Sequence, residues 1–307
     1  MEYLLLLAGF VLLIKGADFF VDGSSSIART LKVPSIVIGL TLVSMGTSAP
    51  EAAVSITAAL QGSNDISLGN VIGSNMFNLL TVIGCAALIR PINSPKEILK
   101  RDLWWNLGMT TLLFLLIFDK KISRLNGFVL LAGMAVYLFL VVKKAMADRV
   151  RTKPEAEEAM PVPKSILFVV IGLAAVILGG QLVVNNASII ARSLGMSDAL
   201  VGLTIVAIGT SLPELVTSVV AARKGDSGIA LGNAVGSCLF NIMFILGMTS
   251  AISPIRVAGD LLIDTAILIG IGLITVLFAY TDKKIKRYEG LICLSCYAIY
   301  TAFIILR

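Results

Sequence analysis

The sequence predicts an all-α integral membrane protein with ten transmembrane helices arranged as two five-helix repeats of inverted topology. Three observations carry that prediction: an apolar composition, a recurrence of bilayer-length apolar runs, and a gapless internal repeat. Of the 307 residues, 57% are hydrophobic and 14% charged, and the mean hydropathy is +0.94. A water-soluble globule of this size cannot hide so much apolar surface, so the bilayer is the solvent. Runs of about 20 residues, enough helix for a hydrocarbon core of about 30 Å, recur at about 3–28, 33–60, 67–89, 103–118, 125–143, 165–191, 197–222, 229–252, 261–280 and 286–306. The short alternating strands of a closed barrel do not occur in the sequence.

The first span stays as an anchor: Glu2 is acidic where a secretion signal is basic, and no small-residue cleavage site follows the apolar run. Asp18 and Asp22 near its cytoplasmic end suit either a gateway for ions or a local structural pair with Lys15. Gln181 and Asn185 stand in their place in the second half, and that asymmetry favours the structural role. Trp104 and Trp105 open the fourth span as interfacial anchors. Residues 145–163 are the one long polar stretch, a cytoplasmic linker between a first repeat at 1–144 and a second at 164–307, together one membrane domain. Cys85, Cys238, Cys293 and Cys296 all fall inside spans, which suits neither a disulfide framework nor a zinc cage. The chain has no histidine, hence neither the commonest proton shuttle nor the commonest transition-metal ligand.

Lysine and arginine sort by loop. Of 25, 18 lie in loops after odd-numbered spans, and Lys15 lies within the first span. The other face keeps only Lys120, Lys121, Arg124, Arg192, Arg256 and Arg307. The basic face is expected to be cytoplasmic in the plasma membrane, with both termini outside. The net charge of +6 is then topological and asks for no nucleic acid.

One offset, 163 residues, aligns the halves without a gap: GLTLVSMGTSAPE at 39–51 matches GLTIVAIGTSLPE at 202–214, and LGNVIGSNMFN at 68–78 matches LGNAVGSCLFN at 231–241. Five spans per half is an odd number, so the second half enters from the opposite face. Inverted repeats of this kind are a transporter architecture.

The chemistry concentrates in these duplicated segments. Glu51 and Glu214 each sit well inside an apolar span, where a charge costs about 2.5–3.5 kcal/mol even on the mild insertion scale, so both are expected to face a polar cavity or bind cations. Ser44, Thr47 and Ser48 precede Glu51 by seven, four and three residues on one helical face, and Thr210 and Ser211 repeat this beside Glu214. Pro50 and Pro213 cannot donate to carbonyls near Gly46 and Gly209, which a kink alone or a bound cation can exploit. Ser74 with Asn78, and Ser237 with Asn241, present hydroxyl and amide oxygens at four-residue spacing. The glycine pairs Gly69/Gly73 and Gly232/Gly236 allow close helix approach, and Asn70 and Asn233 read as braces. The set is all oxygen, which suits hard cations. A dehydrated protein cage favours calcium or sodium over magnesium, and two carboxylates balance one divalent ion.

GTSxPE in each half followed by GNxxGSxxxN resembles the paired alpha repeats of the sodium/calcium exchanger family within the calcium/cation antiporters. The resemblance implies alternating access by sliding of the first and sixth helices across the core. It implies Glu51 and Glu214 as ligands for both ions, with the side chains of Ser48, Ser74, Ser211 and Ser237, carbonyls at Ser44, Thr47, Ala207 and Thr210, and the amides of Asn78 and Asn241. Some members carry an aspartate where this chain has Asn241; a core with two acids argues against potassium co-transport. The expected substrates are Ca2+ and Na+, with no cofactor and no protein partner beyond the bilayer. Proton-coupled calcium exchange through the same glutamates is the alternative, and a cation channel a further one, which the inverted repeat opposes. No nucleophile and base pair suggests an enzyme.

Overall fold

A computed structural model describes residues 1–61, 64–149, 159–196, 205, 207–257 and 259–306. The middle of the linker, the first residues of the 197–222 span and Arg307 lie outside the described residues. The chain is almost entirely helical. In order it forms α1 (Glu2–Leu31), α2 (Ser35–Ile38), α3 (Ser44–Thr47), α4 (Ala49–Leu60), α5 (Asn64–Phe77), α6 (Ile83–Ile89), α7 (Leu103–Leu116) and α8 (Arg124–Arg149). The second half follows with α9 (Val162–Ser193), α10 (Ala207–Gly209), α11 (Leu212–Lys224), α12 (Ser227–Phe240), α13 (Leu246–Ile252), α14 (Gly259–Tyr280) and α15 (Arg287–Leu306). Single π-helical turns at Gly39–Val43, Asn78–Val82 and Asn241–Ile245 join α2 to α3, α5 to α6 and α12 to α13. Such turns commonly mark functional sites, and here two of them begin at the predicted ligands Asn78 and Asn241.

Among the described residues, seven helices are long and apolar enough to cross a membrane, or eight if the bent pair Ser35–Thr47 and Ala49–Leu60 counts as one span. Ten were expected. Of the two others, the fourth is the 14-residue α7, entered through a π turn at Ile98–Asp102, and the seventh begins outside the described residues.

At the centre stands α12, buried from Gly228 to Phe240. It can lie so deep because Gly232 and Gly236 admit the backbone of the neighbouring α2–α3 segment. A methyl group on Gly232 would stand 2.9 Å from the Ile36 oxygen, and one on Gly236 would stand 2.8 Å from Ser44 Cβ. Gly69 and Gly73 have no described neighbour this close, and residues 199–203, which correspond to 36–40 at the same offset, lie outside the described residues.

Outside this core, α1 and α9 pack antiparallel through small residues at seven-residue intervals: Gly9 against Gly179, Gly16 against Gly172, Gly23 against Ser165. The Ser26 and Ser165 hydroxyls meet at 2.8 Å at the end of the seam. Asp18 on α1 pairs with Arg223 at 3.2 Å and Lys224 at 3.4 Å, and Asp22 with Lys224 at 2.7 Å. The two aspartates are thus structural, but their partners are on α11 and not the neighbouring Lys15.

Two short antiparallel strand pairs tie the loops together. β1 (Ile92–Asn93) pairs with β4 (Lys284–Ile285), Ile92 opposite Ile285, and β2 (Lys121–Ile122) pairs with β3 (Ile255–Arg256), Ile122 opposite Ile255.

Candidate functional site

Each glutamate sits one turn inside a helix that begins at a break. Helix α3 ends at Thr47, Ser48 leaves helical geometry (φ −81°, ψ 7°), and α4 starts at Ala49 with a bend of 48°. Pro50, second in α4, has no N–H for the Gly46 carbonyl, which is why the ladder fails here. In the second half Ser211 (φ −95°, ψ 8°) precedes α11, and Pro213 occupies the matching place. Glu51 and Glu214 are therefore third residues of their helices, at the positive end of the helix dipole, which favours a carboxylate.

Ser48-x-x-Glu51 and Ser211-x-x-Glu214 spell a capping box, yet neither serine side chain caps its own helix. They cross instead. Ser48 Oγ donates to Glu214 Oε1 at 2.8 Å, and Ser211 Oγ donates to Glu51 Oε1 at 2.9 Å. Around this crossed pair Ser211 Oγ reaches Ser74 Oγ at 3.2 Å, and Ser237 Oγ reaches both Glu214 Oε1 and the Ser44 carbonyl at 3.5 Å. Both glutamates and Ser44, Thr47, Ser48, Ser211 and Ser237 are wholly buried, and Ser74, Asn78 and Asn241 nearly so.

Several buried polar atoms here have no hydrogen-bond partner among the described residues: Glu51 Oε2, Glu214 Oε2, Thr210 Oγ1 and Asn241 Oδ1. Leaving a carboxylate oxygen dry and unpaired costs several kcal/mol, on the order of 3–5 when its charge lacks a partner. The cluster thus offers two acids and a set of neutral oxygens, the donor chemistry of a hard divalent cation.

Not every oxygen in the predicted set is available. The Ser44 carbonyl already accepts from Ser48 N at 3.0 Å, and Ser237 Oγ lies 3.5 Å from it. The Thr47 hydroxyl donates to Asn233 Oδ1 at 3.0 Å. Asn233 braces α12 to α11, donating to the Glu214 carbonyl at 3.2 Å and to Ser218 Oγ at 2.9 Å; Asn70 donates to Ser55 Oγ at 3.1 Å. The backbone of Ala207 opens α10. Sequence reasoning missed Ser55 and Ser218, although they recur four residues beyond each glutamate. It also missed Asn75, whose matching residue is Cys238, so no repeat pointed to it.

Two buried carboxylates presented at breaks in apolar helices, amid unpaired oxygens, define a class: a multi-pass membrane ion transporter. The family model described as "Sodium/calcium exchanger protein" matches residues 1–143 and 164–306, and the chain belongs to this family. It is 35% identical to the sodium/calcium exchanger MaX1 of Methanosarcina acetivorans over 97% of both chains. It is 37% identical to the inner membrane protein YrbG of Escherichia coli, over 81% of this chain and 79% of that one. Among solved structures it resembles the sodium-calcium exchanger NCX_Mj soaked with zero Na+ and Ca2+, with TM-score 0.87, 34% identity and coverage of 100% and 99%. The same exchanger soaked with 10 mM Na+ and 10 mM Sr2+ matches with TM-score 0.86 and 35% identity over 98% and 97%.

Proposed function

We propose that the chain is a secondary antiporter that exchanges Na+ for Ca2+ across the cell membrane by alternating access. The observation that carries this reading is the crossed serine–glutamate pair, in which each carboxylate keeps a second oxygen buried and without a partner among the described residues. One Ca2+ between Glu51 and Glu214 balances both charges. The hydroxyls of Ser48, Ser74, Ser211 and Ser237, the Thr47, Thr210 and Ala207 carbonyls, and the amides of Asn78 and Asn241 complete its shell; the Ser44 carbonyl is the least available member. Na+ drawn to the same carboxylates excludes Ca2+, and a site that does not cross when empty turns that exclusion into exchange.

Ten spans as two inverted five-helix repeats, 1–144 and 164–307, joined by the linker, form the frame of this reading. The strand pairs support it. The loop after the third span meets the loop after the ninth, and the loop after the fourth meets that after the eighth, as alternating spans require. The basic loops then lie in the cytoplasm and both termini outside. The glycine seam between α1 and α9 suits two helices that slide as a unit over the core. No cofactor and no obligatory protein partner enter the cycle.

The test is calcium-45 uptake into proteoliposomes at clamped membrane potential, loaded with sodium, or with choline and a pH gradient. The expected result is uptake that needs internal sodium and falls about 100-fold or more in Glu51→Gln and Glu214→Gln, the scale of a lost buried charge. Equal uptake with choline and a pH gradient would overturn sodium coupling in favour of protons.

A further inference from the structure

Asn75 follows the ligand candidate Ser74 on α5 and is 1% exposed. The 163-residue offset brings it opposite its own counterpart: Asn75 Nδ2 donates to the Cys238 carbonyl at 3.2 Å, and Cys238 Sγ donates to the Asn75 carbonyl at 3.8 Å. A backbone carbonyl can only accept, so the NH2 of Asn75 is fixed on that side and its Oδ1 faces the other way. There it accepts from Asn241 Nδ2 at 3.1 Å. With its NH2 committed, Asn241 holds its Oδ1 on the far side, where that oxygen is buried and without a partner among the described residues. Ser237, one turn before Asn241, already touches Glu214 Oε1.

Asn78 of the first half meets a thiol where Asn241 meets an amide. The residue that corresponds to Asn75 is Cys238, whose thiol proton is spent on a backbone carbonyl. Asn78, the counterpart of Asn241, lies beside that thiol, a weak partner that fixes an amide less firmly than the Asn75 oxygen does. Asn241 is thus held with its oxygen forward.

We infer that Asn75 is a positioning residue that presents the Asn241 carbonyl oxygen to the transported cation, so that Asn241 is a fixed ligand. The inference rests on the exchanger reading of the site. A purely structural Asn75 would stitch α5 to α12 and have no bearing on which amide atom faces the ion.

The two roles separate in a double-mutant cycle. Asn75→Cys removes the relay with a residue that the other half already accommodates at the matching place. Asn75→Leu removes it with near-equal volume. Each is combined with Asn241→Asp, in which both side-chain oxygens accept and orientation no longer matters. Calcium-45 uptake into sodium-loaded proteoliposomes is read as KM and kcat, after size-exclusion chromatography of each protein.

In the Asn241 background both Asn75 variants are expected to raise the KM for Ca2+ about 10-fold with kcat within about twofold, the scale of one orienting hydrogen bond to a charged site. In the Asn241→Asp background the same substitutions are expected to change KM less than about twofold. An equal fold-change in both backgrounds, an unchanged KM in the native background, or aggregation of both variants in both backgrounds would overturn the inference. Wild-type vesicles that do not exchange sodium for calcium would instead strike the exchanger reading, so the two failures are distinguishable.

Discussion

At Glu51 and Glu214 the chain places acids where lipid-facing helices carry none, and it recovers the cost through the other half of the molecule. Each carboxylate takes a hydroxyl from across the core and not from its own helix turn. The contacts are interchangeable at the 163-residue offset, so they predict matched effects. Ser48→Ala and Ser211→Ala are each expected to weaken calcium binding about 10-fold, the scale of one hydrogen bond to a charged group, and to differ from each other by less than about threefold. Isothermal titration of the purified proteins with Ca2+ checks this, and a large effect confined to one serine would contradict a shared site. The glutamates and serines were legible in the sequence because they recur with their neighbours. The crossing was not, since Ser-x-x-Glu reads equally well as a local capping box, and only the packing of the halves decides between them. Asn75 was invisible for the opposite reason: the repeat breaks there, and its role depends on a contact with residue 238.

At the scale of elements, the prolines were the readable signal. Pro50 and Pro213 each follow the break by two residues, and the breaks at Ser48 and Ser211 bring carbonyl ends and carboxylates to one level. The glycines of α12 were also readable as packing sites, and Gly232 and Gly236 take up backbone of the α2–α3 segment. The seam between α1 and α9 was not read, because seven-residue spacing within one helix acquires meaning only beside a partner of the same spacing. That seam carries its own prediction. A methyl on Gly16 would stand 2.8 Å from both Ala175 Cβ and the Val176 nitrogen, so Gly16→Leu must push α1 and α9 apart. It touches no ligand. Exchange rate in proteoliposomes is expected to fall by about 10-fold or more while calcium affinity in titration stays within about twofold, overpacking of this kind costing about 1–3 kcal/mol. A loss of affinity with an unchanged rate would place the seam in binding and not in motion.

For the whole molecule, composition made the bilayer legible, because it is a property of long stretches that no single contact can override. Span count was less so. The short α7 and the bent α2–α4 segment each depart from a straight apolar helix of full length, and the start of the seventh span lies outside the described residues. The partners of Asp18 were misassigned for a related reason, since Lys15 is near in sequence while Arg223 and Lys224 are near only in the fold. The two strand pairs join loops from opposite halves at residues 92 with 285 and 122 with 255, and so connect the repeats at both ends of the core. Between those ends lies the site to which both halves contribute, proposed above to hold either calcium or sodium. The most direct test is equilibrium calcium-45 binding to the purified protein across a range of sodium concentrations, with Glu51→Gln/Glu214→Gln as the control. The account predicts that sodium displaces calcium competitively, raising the apparent Kd without lowering the number of sites, and that the double variant binds neither ion. Calcium binding that sodium leaves unchanged, or that survives the loss of both glutamates, would contradict it.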